Sequence, residues 1–313
     1  MHSYTLRAPA KINLFLEILG DRPDGFHELV MILQSIALAD ELTVRANGTD
    51  KIRLTCSDPN LPTDASNLAH RAAQLMAQNF PKAYAQYGGV DITLTKKIPM
   101  AAGLAGGSAD AAAVLVGLDL LWQLGLTRPE LEALAAQLGS DIPFCIGGGT
   151  AIATGRGEKL APLPDVERLW LVLAKHRSIE VSTPWAYQTY RQQFGANYLN
   201  DRPAQQARSR EIHASPLVQA INHRNAEQIA QALHNDLEKV VLPHQSPVAD
   251  LRQALAQAGG LGTMMSGSGP TVFTLCRDQA EAEQVTAIAA ETVSNPDVDF
   301  WVTQTVNHGI QVI

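Results

Sequence analysis

The sequence predicts an α+β protein of two domains, and three observations carry that prediction. Strand-like and helix-like stretches alternate along the chain without segregating into blocks. Turn segments with Gly or Pro close the first strands, and most of the helices open on Pro, Asn or Asp. The 313 residues suffice for one large domain or two ordinary ones, and a 46% hydrophobic composition can fill their cores.

Residues 6–18 read as a strand closed by the turn segment GDRPDG at 20–25. Residues 67–78 place Leu68, Ala72, Leu75 and Met76 at helical spacing. Residues 90–95 alternate as a strand that ends before Pro99. A long Ala-, Leu- and Val-rich helix is expected over 107–124, and a second from Pro129 to about Leu138. Residues 150–154 and 169–174 are strands, and the polar loop GRGEKLAPLPD between them divides a domain at 1–163 from one at 164–313. The second half offers helices at 184–193, 216–234 and 247–258. A strand–turn–strand follows at 262–265 and 271–275, then a helix at 278–292 and a strand at 299–306. The polar segment 197–210 reads as a surface loop, and no internal repeat is visible.

A net charge of -7 argues against nucleic acid or an anionic membrane as the main partner. It leaves room for an anionic ligand, since a few amides or one lysine can hold a phosphate. Cys56, Cys145 and Cys276 are far apart and odd in number, which suits neither a disulfide framework nor a zinc site. The N-terminal stretch lacks the apolar core of a signal peptide, and the uncharged run 255–276 is broken by Gly, Ser, Thr and Pro. A cytoplasmic protein with no membrane span is expected, as a monomer or weak homodimer.

The chemistry begins at residues 99–113, PMAAGLAGGSADAAA, which lie between a strand and an Ala-rich helix. Gly103, Gly106 and Gly107 let backbone amides approach a bulky anion, and the helix behind adds unpaired N–H groups and its positive dipole end. Ser108 is placed to cap that helix and to bond a phosphate oxygen or a magnesium-bound water. Lys96 and Lys97 stand just upstream, within reach of the same nucleotide. The segment lacks the Gly-Lys-Ser/Thr of a P-loop and the GxGxxG of a dinucleotide fold. A tight strand-to-helix turn built for close packing remains the competing reading.

This loop resembles the second signature of the GHMP kinases, the superfamily of galactokinase, homoserine kinase, mevalonate kinase and phosphomevalonate kinase. APAKINLFLEILGDRPDGFHEL at 8–29 resembles the first signature and MMSGSGPTVF at 264–273 the third, in the family's order. Within the superfamily, PAKINLFL paired with RPDGFHEL, together with LGSDIPFCIGGGTAIATGRGE at 138–158, is most similar to members whose acceptor carries a cytidyl diphosphate. The resemblance implies a ribosomal protein S5 domain 2-like N-terminal domain and a ferredoxin-like C-terminal domain. It implies ATP as donor, Mg2+ accompanying the nucleotide, and a small cytidyl-diphosphate substrate of the non-mevalonate isoprenoid route.

The resemblance also distributes roles. Asp141 would be the general base and Lys11 its electrostatic partner. Pro99, Met100, Ala101, Ala102, Gly103, Leu104, Ala105, Gly106, Gly107, Ser108 and Ala109 would hold ATP, with Lys96 beside them and Asn67 and Leu68 on the adenine side. Many relatives carry a second serine where Ala109 stands, so Ser108 is left as the loop's hydroxyl. On the acceptor side, Asn13 shares a strand face with Lys11 and suits an orienting role. Phe26 would stack on the cytosine and His27 would bond its edge, with Tyr187 a candidate for the opposite face and Thr183 nearby. The third motif, through Gly267 and Gly269, would offer amides to the diphosphate. No carboxylate cluster reads as a metal cage, so water and phosphates would supply most ligands of Mg2+. Two alternatives stay open: a GHMP kinase for homoserine or mevalonate, and a GHMP-fold sensor without catalysis.

Overall fold

The computed structural model describes residues 3–166, 168–199 and 201–313. Its strands are β1 (Ser3–Asp21), β2 (His27–Ala46), β3 (Ile52–Cys56), β4 (Val90–Thr95), β5 (Thr150–Gly155), β6 (Lys159–Pro162), β7 (Trp170–His176), β8 (His234–Asn235), β9 (Gly262–Met265), β10 (Val272–Cys276), β11 (Val298–Gln304) and β12 (Gln311–Val312). The helices are α1 (Leu68–Asn79), α2 (Pro81–Tyr87), α3 (Gly106–Leu121), α4 (Arg128–Leu138), α5 (Ile142–Gly147), α6 (Thr183–Phe194), α7 (Arg202–Glu211), α8 (Pro216–Asn222), α9 (Ala226–Gln231), α10 (Glu238–His244), α11 (Ser246–Ala258) and α12 (Gln279–Val293).

The long antiparallel pair β1 and β2 forms the spine of the first sheet, ordered β12-β1-β2-β4-β3, with β5 also on β2, β6 on β5, and β8 parallel to β1. The second sheet is antiparallel, ordered β11-β7-β10-β9. Helices α1, α3 and α4 cover one face of the first sheet in a shared core of Leu6, Leu42, Val44, Leu115 and Trp122. At Gly117 the helix lies so near β2 that a Cβ would come within 2.6 Å of Val44 Cγ2. A second core joins the sheets through Leu16, Leu33, Val172, Val272 and Leu255, and a third through Ile12, Ile32, Leu171 and Phe273. Cys145 and Cys276 are buried free thiols, packed as small apolar residues.

The predicted strand–turn–strand appears as β9 and β10, and the predicted helix at 278–292 as α12. Several segments differ from expectation. The polar stretch 197–210 is mostly helix α7, opened by Asp201, whose side chain accepts from the Ala204 N–H. The loop placed between the domains contains β6, which pairs with β5 because its backbone groups need partners. The helix expected over 216–234 divides into α8 and α9 at Arg224, which adopts φ 52, and its end joins the first sheet as β8. The 20-residue β2 carries a nearly continuous buried run because both its faces are covered, which erases the alternation that marks a strand.

Candidate active site

All three Gly-rich segments converge on one cavity of about 880 Å³. Its walls are β1, the loop after β4, the tip between β1 and β2, the first turns of α6 and the turn between β9 and β10.

The phosphate loop is shaped by left-handed backbone at Ala101 (φ 46), Gly103 (φ 71) and Ala105 (φ 58). Ala105 is the N-cap of α3 and brings no side-chain hydrogen bond. Ser108 therefore does not cap the helix, as the sequence suggested; it stands in the first turn, on the cavity wall. The N–H groups of Gly106, Gly107 and Ser108 open the helix and have no acceptor within it. The next one, from Ala109, already bonds Ala105 O at 2.9 Å. Ala109 is fully buried and belongs to the core, so its expected contact with ATP is corrected.

Lys96 also differs from expectation. It reaches the cavity wall, but its Nζ bonds Asp110 Oδ2 at 2.8 Å and also Asp40 Oδ2, with 9% of the side chain exposed. Asp40 Oδ1 accepts the N–H groups of Lys97 and Ile98 at 2.5 and 2.9 Å, fixing the start of the loop. The lysine is thus committed to two buried carboxylates beneath the loop. Burial holds the Asp110 carboxyl well above the usual carboxylate range, with Asp40 adding to the effect and Lys96 opposing it. Asp110 Oδ1 has no hydrogen-bond partner.

Lys11 is joined to the same loop twice. Pro9 has no N–H to give, and the β1–β2 register slips between Pro9 and Lys11. The Lys11 N–H consequently leaves the ladder and donates to Leu104 O at 3.0 Å. Its buried Nζ donates to Asn13 Oδ1 at 2.6 Å and Gly103 O at 3.1 Å, and lies 3.8 Å from Asp141 Oδ2. Asp141 enters from the N-cap position of α5, its side chain about a third exposed. Asn13 completes this group, donating to Met31 Sδ at 3.5 Å.

The third motif packs directly on the loop. Ser266 Oγ donates to Gly103 O at 3.1 Å, and a Cβ on Gly103 would stand 2.3 Å from Ser266 O. Asn235 of β8 steadies the turn by donating to Met265 O and Gly267 O, both at 2.8 Å. Gly267 lines the cavity. The Gly269 N–H is used inside the turn, bonding Ser266 O at 2.9 Å, so it is not available to a diphosphate. Thr183, in the first turn of α6, pairs with Ser268 through hydroxyls 2.8 Å apart. On the far side of the loop, Asn67 caps α1 by accepting from Ala69, and Leu68 lies beside Gly107.

The end of the cavity at the β1–β2 tip is arranged differently from the expected Phe26–Tyr187 pair of faces. His27 packs against Tyr187, ring centroids 5.1 Å apart and tilted by 33°. Phe26 lies half in solvent, with the Arg156 guanidinium 5.0 Å from its ring centre. The His27 Nε2 is 3.5 Å from Asp21 Oδ1 without hydrogen-bond geometry, and that buried nitrogen has no partner. Burial lowers the His27 pKa, the Arg191 charge lowers it further, and Asp21 pulls the other way. Burial likewise pushes the Tyr187 phenol upward.

Apart from Ala109, Gly269 and Lys97, which instead pairs with Glu41 at 2.9 Å, the site residues named from the sequence line this cavity. Arg156, Arg191, Asp110 and Ser140 line it too and were missed. Arg156 sat in a segment read as a linker, and Arg191 in a helix with no other mark of function.

The chain is similar to known proteins over its whole length. Residues 67–149 match the GHMP kinases N terminal domain and residues 217–295 the GHMP kinases C terminal domain. A protein of Synechocystis sp. named 4-diphosphocytidyl-2-C-methyl-D-erythritol kinase is 78% identical over 313 residues, covering 100% of this chain and 99% of its own. One of the same name from Gloeothece citriformis is 62% identical over 312 residues, with 100% and 99% covered. A crystal structure of 4-(cytidine 5'-diphospho)-2C-methyl-D-erythritol kinase superposes with TM-score 0.73 at 32% identity, covering 96% of this chain and 98% of that one. Homoserine kinase from Cytophaga hutchinsonii shares the fold, with TM-score 0.76 at 20% identity over 100% and 98% of the two chains. The chain belongs to the GHMP kinases, with the α+β fold of that family. It is a small-molecule phosphotransferase.

Proposed function

We propose that the chain transfers the γ-phosphate of ATP to the 2-hydroxyl of 4-diphosphocytidyl-2-C-methyl-D-erythritol, a step of the non-mevalonate isoprenoid pathway. The observation that carries the reading is the placement of Lys11 Nζ 3.8 Å from Asp141, directly behind Gly103 of the phosphate loop. Identity of 78% with a relative of that name supports the choice of acceptor. So does the His27–Tyr187 aromatic pair at the far end of the cavity, since a cytosine offers a π face and a hydrogen-bonding edge.

In this reading the open N–H groups at the start of α3 hold the nucleotide phosphates. Asp141 takes the proton of the acceptor hydroxyl as its oxygen bonds the γ-phosphorus and the bond to ADP breaks. Lys11 offsets the negative charge on that oxygen, Asn13 fixes the lysine, and Ser268 and Thr183 border the diphosphate. Mg2+ accompanying ATP would be held by the nucleotide phosphates and water beside Ser108 and would supply neutralisation of the phosphate charge. Ser108 Oγ is a hard oxygen donor at the right loop, and no group of three His, Cys, Asp or Glu among the described residues forms a separate cage. The described residues contain no helix long and apolar enough to cross a membrane, and a cytoplasmic setting suits an enzyme drawing on ATP.

A coupled assay for ADP formation tests this with three acceptors: the cytidyl-diphospho-methylerythritol, mevalonate and homoserine. Turnover restricted to the first is expected. Turnover of mevalonate or homoserine alone overturns the acceptor assignment.

A further inference from the structure

A second cavity of about 590 Å³ lies on the reverse side of the tip that carries Phe26 and His27. One wall is α7, docked on β1 by the Arg208–Glu17 ion pair at 3.0 Å. Gln205 adds a bond to Leu199 O at 2.9 Å. The α7 face turned to the cavity carries Arg202 and Arg210, with His213 just beyond the helix and Lys159 of β6 across from them. None of these four has an ion-pair partner among the described residues. The acids that also line the space are already neutralised: Asp21 by Arg191 at 2.8 Å and Glu28 by Arg22 at 2.6 Å. A protein of net charge -7 thus keeps one concave surface with uncompensated positive charge.

We propose that this cavity is a binding site for a small diphosphate-bearing anion and that its occupancy is felt by the acceptor. Arg202 and Arg210 start about 12 Å apart along the helix axis, and two guanidiniums on long side chains offer each phosphoryl group of a diphosphate its own forked donor set. The link to the acceptor is Asp21. It lines the second cavity, bonds Arg191 of the main cavity, and faces His27 across the β1–β2 pair. An anion beside Asp21 changes the field on both residues at once.

Calorimetric titration of the full chain with inorganic pyrophosphate tests the site, without divalent metal and with the main cavity filled by a non-hydrolysable ATP analogue and CDP. Binding of one further equivalent is expected, tighter than for inorganic phosphate and weakened about tenfold or more in Arg202→Glu/Arg210→Glu. The milder Lys159→Ala should weaken it too, and melting curves establish that both variants remain folded. Loss of binding once the main cavity is filled, or equal binding by folded variants, overturns the proposal. The coupling is read as a pyrophosphate-dependent shift in acceptor KM, at fixed free Mg2+, in the parent and not in the double variant; an unmoved KM overturns that half. The binding measurement needs no turnover, so it stands or falls apart from the proposed reaction.

Discussion

Lys11 Nζ and Asp141 Oδ2 lie 3.8 Å apart, although one residue sits on a strand bulge and the other at the start of a six-residue helix. Asp141→Asn keeps the shape and removes the proposed proton acceptor. We expect kcat to fall by about 10²–10⁴-fold while ATP affinity, measured by calorimetry, is unchanged. Full activity in this variant would remove Asp141 from the base role.

The depressed pKa of His27 gives a stability prediction with a definite sign. The unfolded chain takes up a proton as pH falls through the ordinary imidazole value of 6.5, while the folded chain resists it. The stabilising contribution is therefore present above that pH and lost as pH drops toward the lower folded value. Urea midpoints of the parent should decline more steeply from about pH 7 to 5 than those of His27→Gln. Parallel declines would show that His27 does not carry this slope.

The buried Lys96 group predicts an asymmetry between two substitutions. Lys96→Met leaves Asp40 and Asp110 together without a cation and should cost about 3–5 kcal/mol of stability. Asp110→Asn keeps the volume, relieves the surplus negative charge and should cost far less. Equal losses in denaturant titrations of the two variants would contradict the ionic account of this cluster.

Gly103→Ala meets two obstacles at once: a positive φ and a Cβ placed 2.3 Å from Ser266 O. The backbone conformation alone should cost about 1–2 kcal/mol, and the contact forces the phosphate loop away from the third motif. A lowered Tm and a raised KM for ATP are expected. Wild-type values for both would mean that the loop and the 266–269 turn move independently.

The parts of the site that were legible in the sequence are those where chemistry is local. Three Gly-rich segments announce close backbone approach, and Lys11, Asn13 and the DGFHEL turn lie within short runs whose spacing survives folding. What stayed hidden depends on long-range partners. Asp40, Lys96 and Asp110 come from a strand, a strand end and a helix, and no window of sequence shows that they share one buried cluster. Nothing in residue type distinguishes Lys96 from a lysine free to meet phosphate; only its two neighbours do. Ser108 looked like a cap because Ser is a good one, yet left-handed Ala105 took that place. Arg156 was concealed for another reason: its partner Phe26 lies on a different turn, across the β2–β5 pairing.

The first sheet is finished by strands that arrive late. Phe15 and Leu16 wait for His234 and Asn235, and Leu6 and Arg7 for Val312 and Gln311. A chain growing from its N-terminus therefore leaves the edge of β1 that faces away from β2 unpaired through most of its synthesis. The cavity cannot take its final form until the turn at Met265 and Gly267 has emerged to be pinned by Asn235. A nascent chain should gain nucleotide affinity late and abruptly, and a protease cut between the two sheets should leave fragments that need each other to bind it.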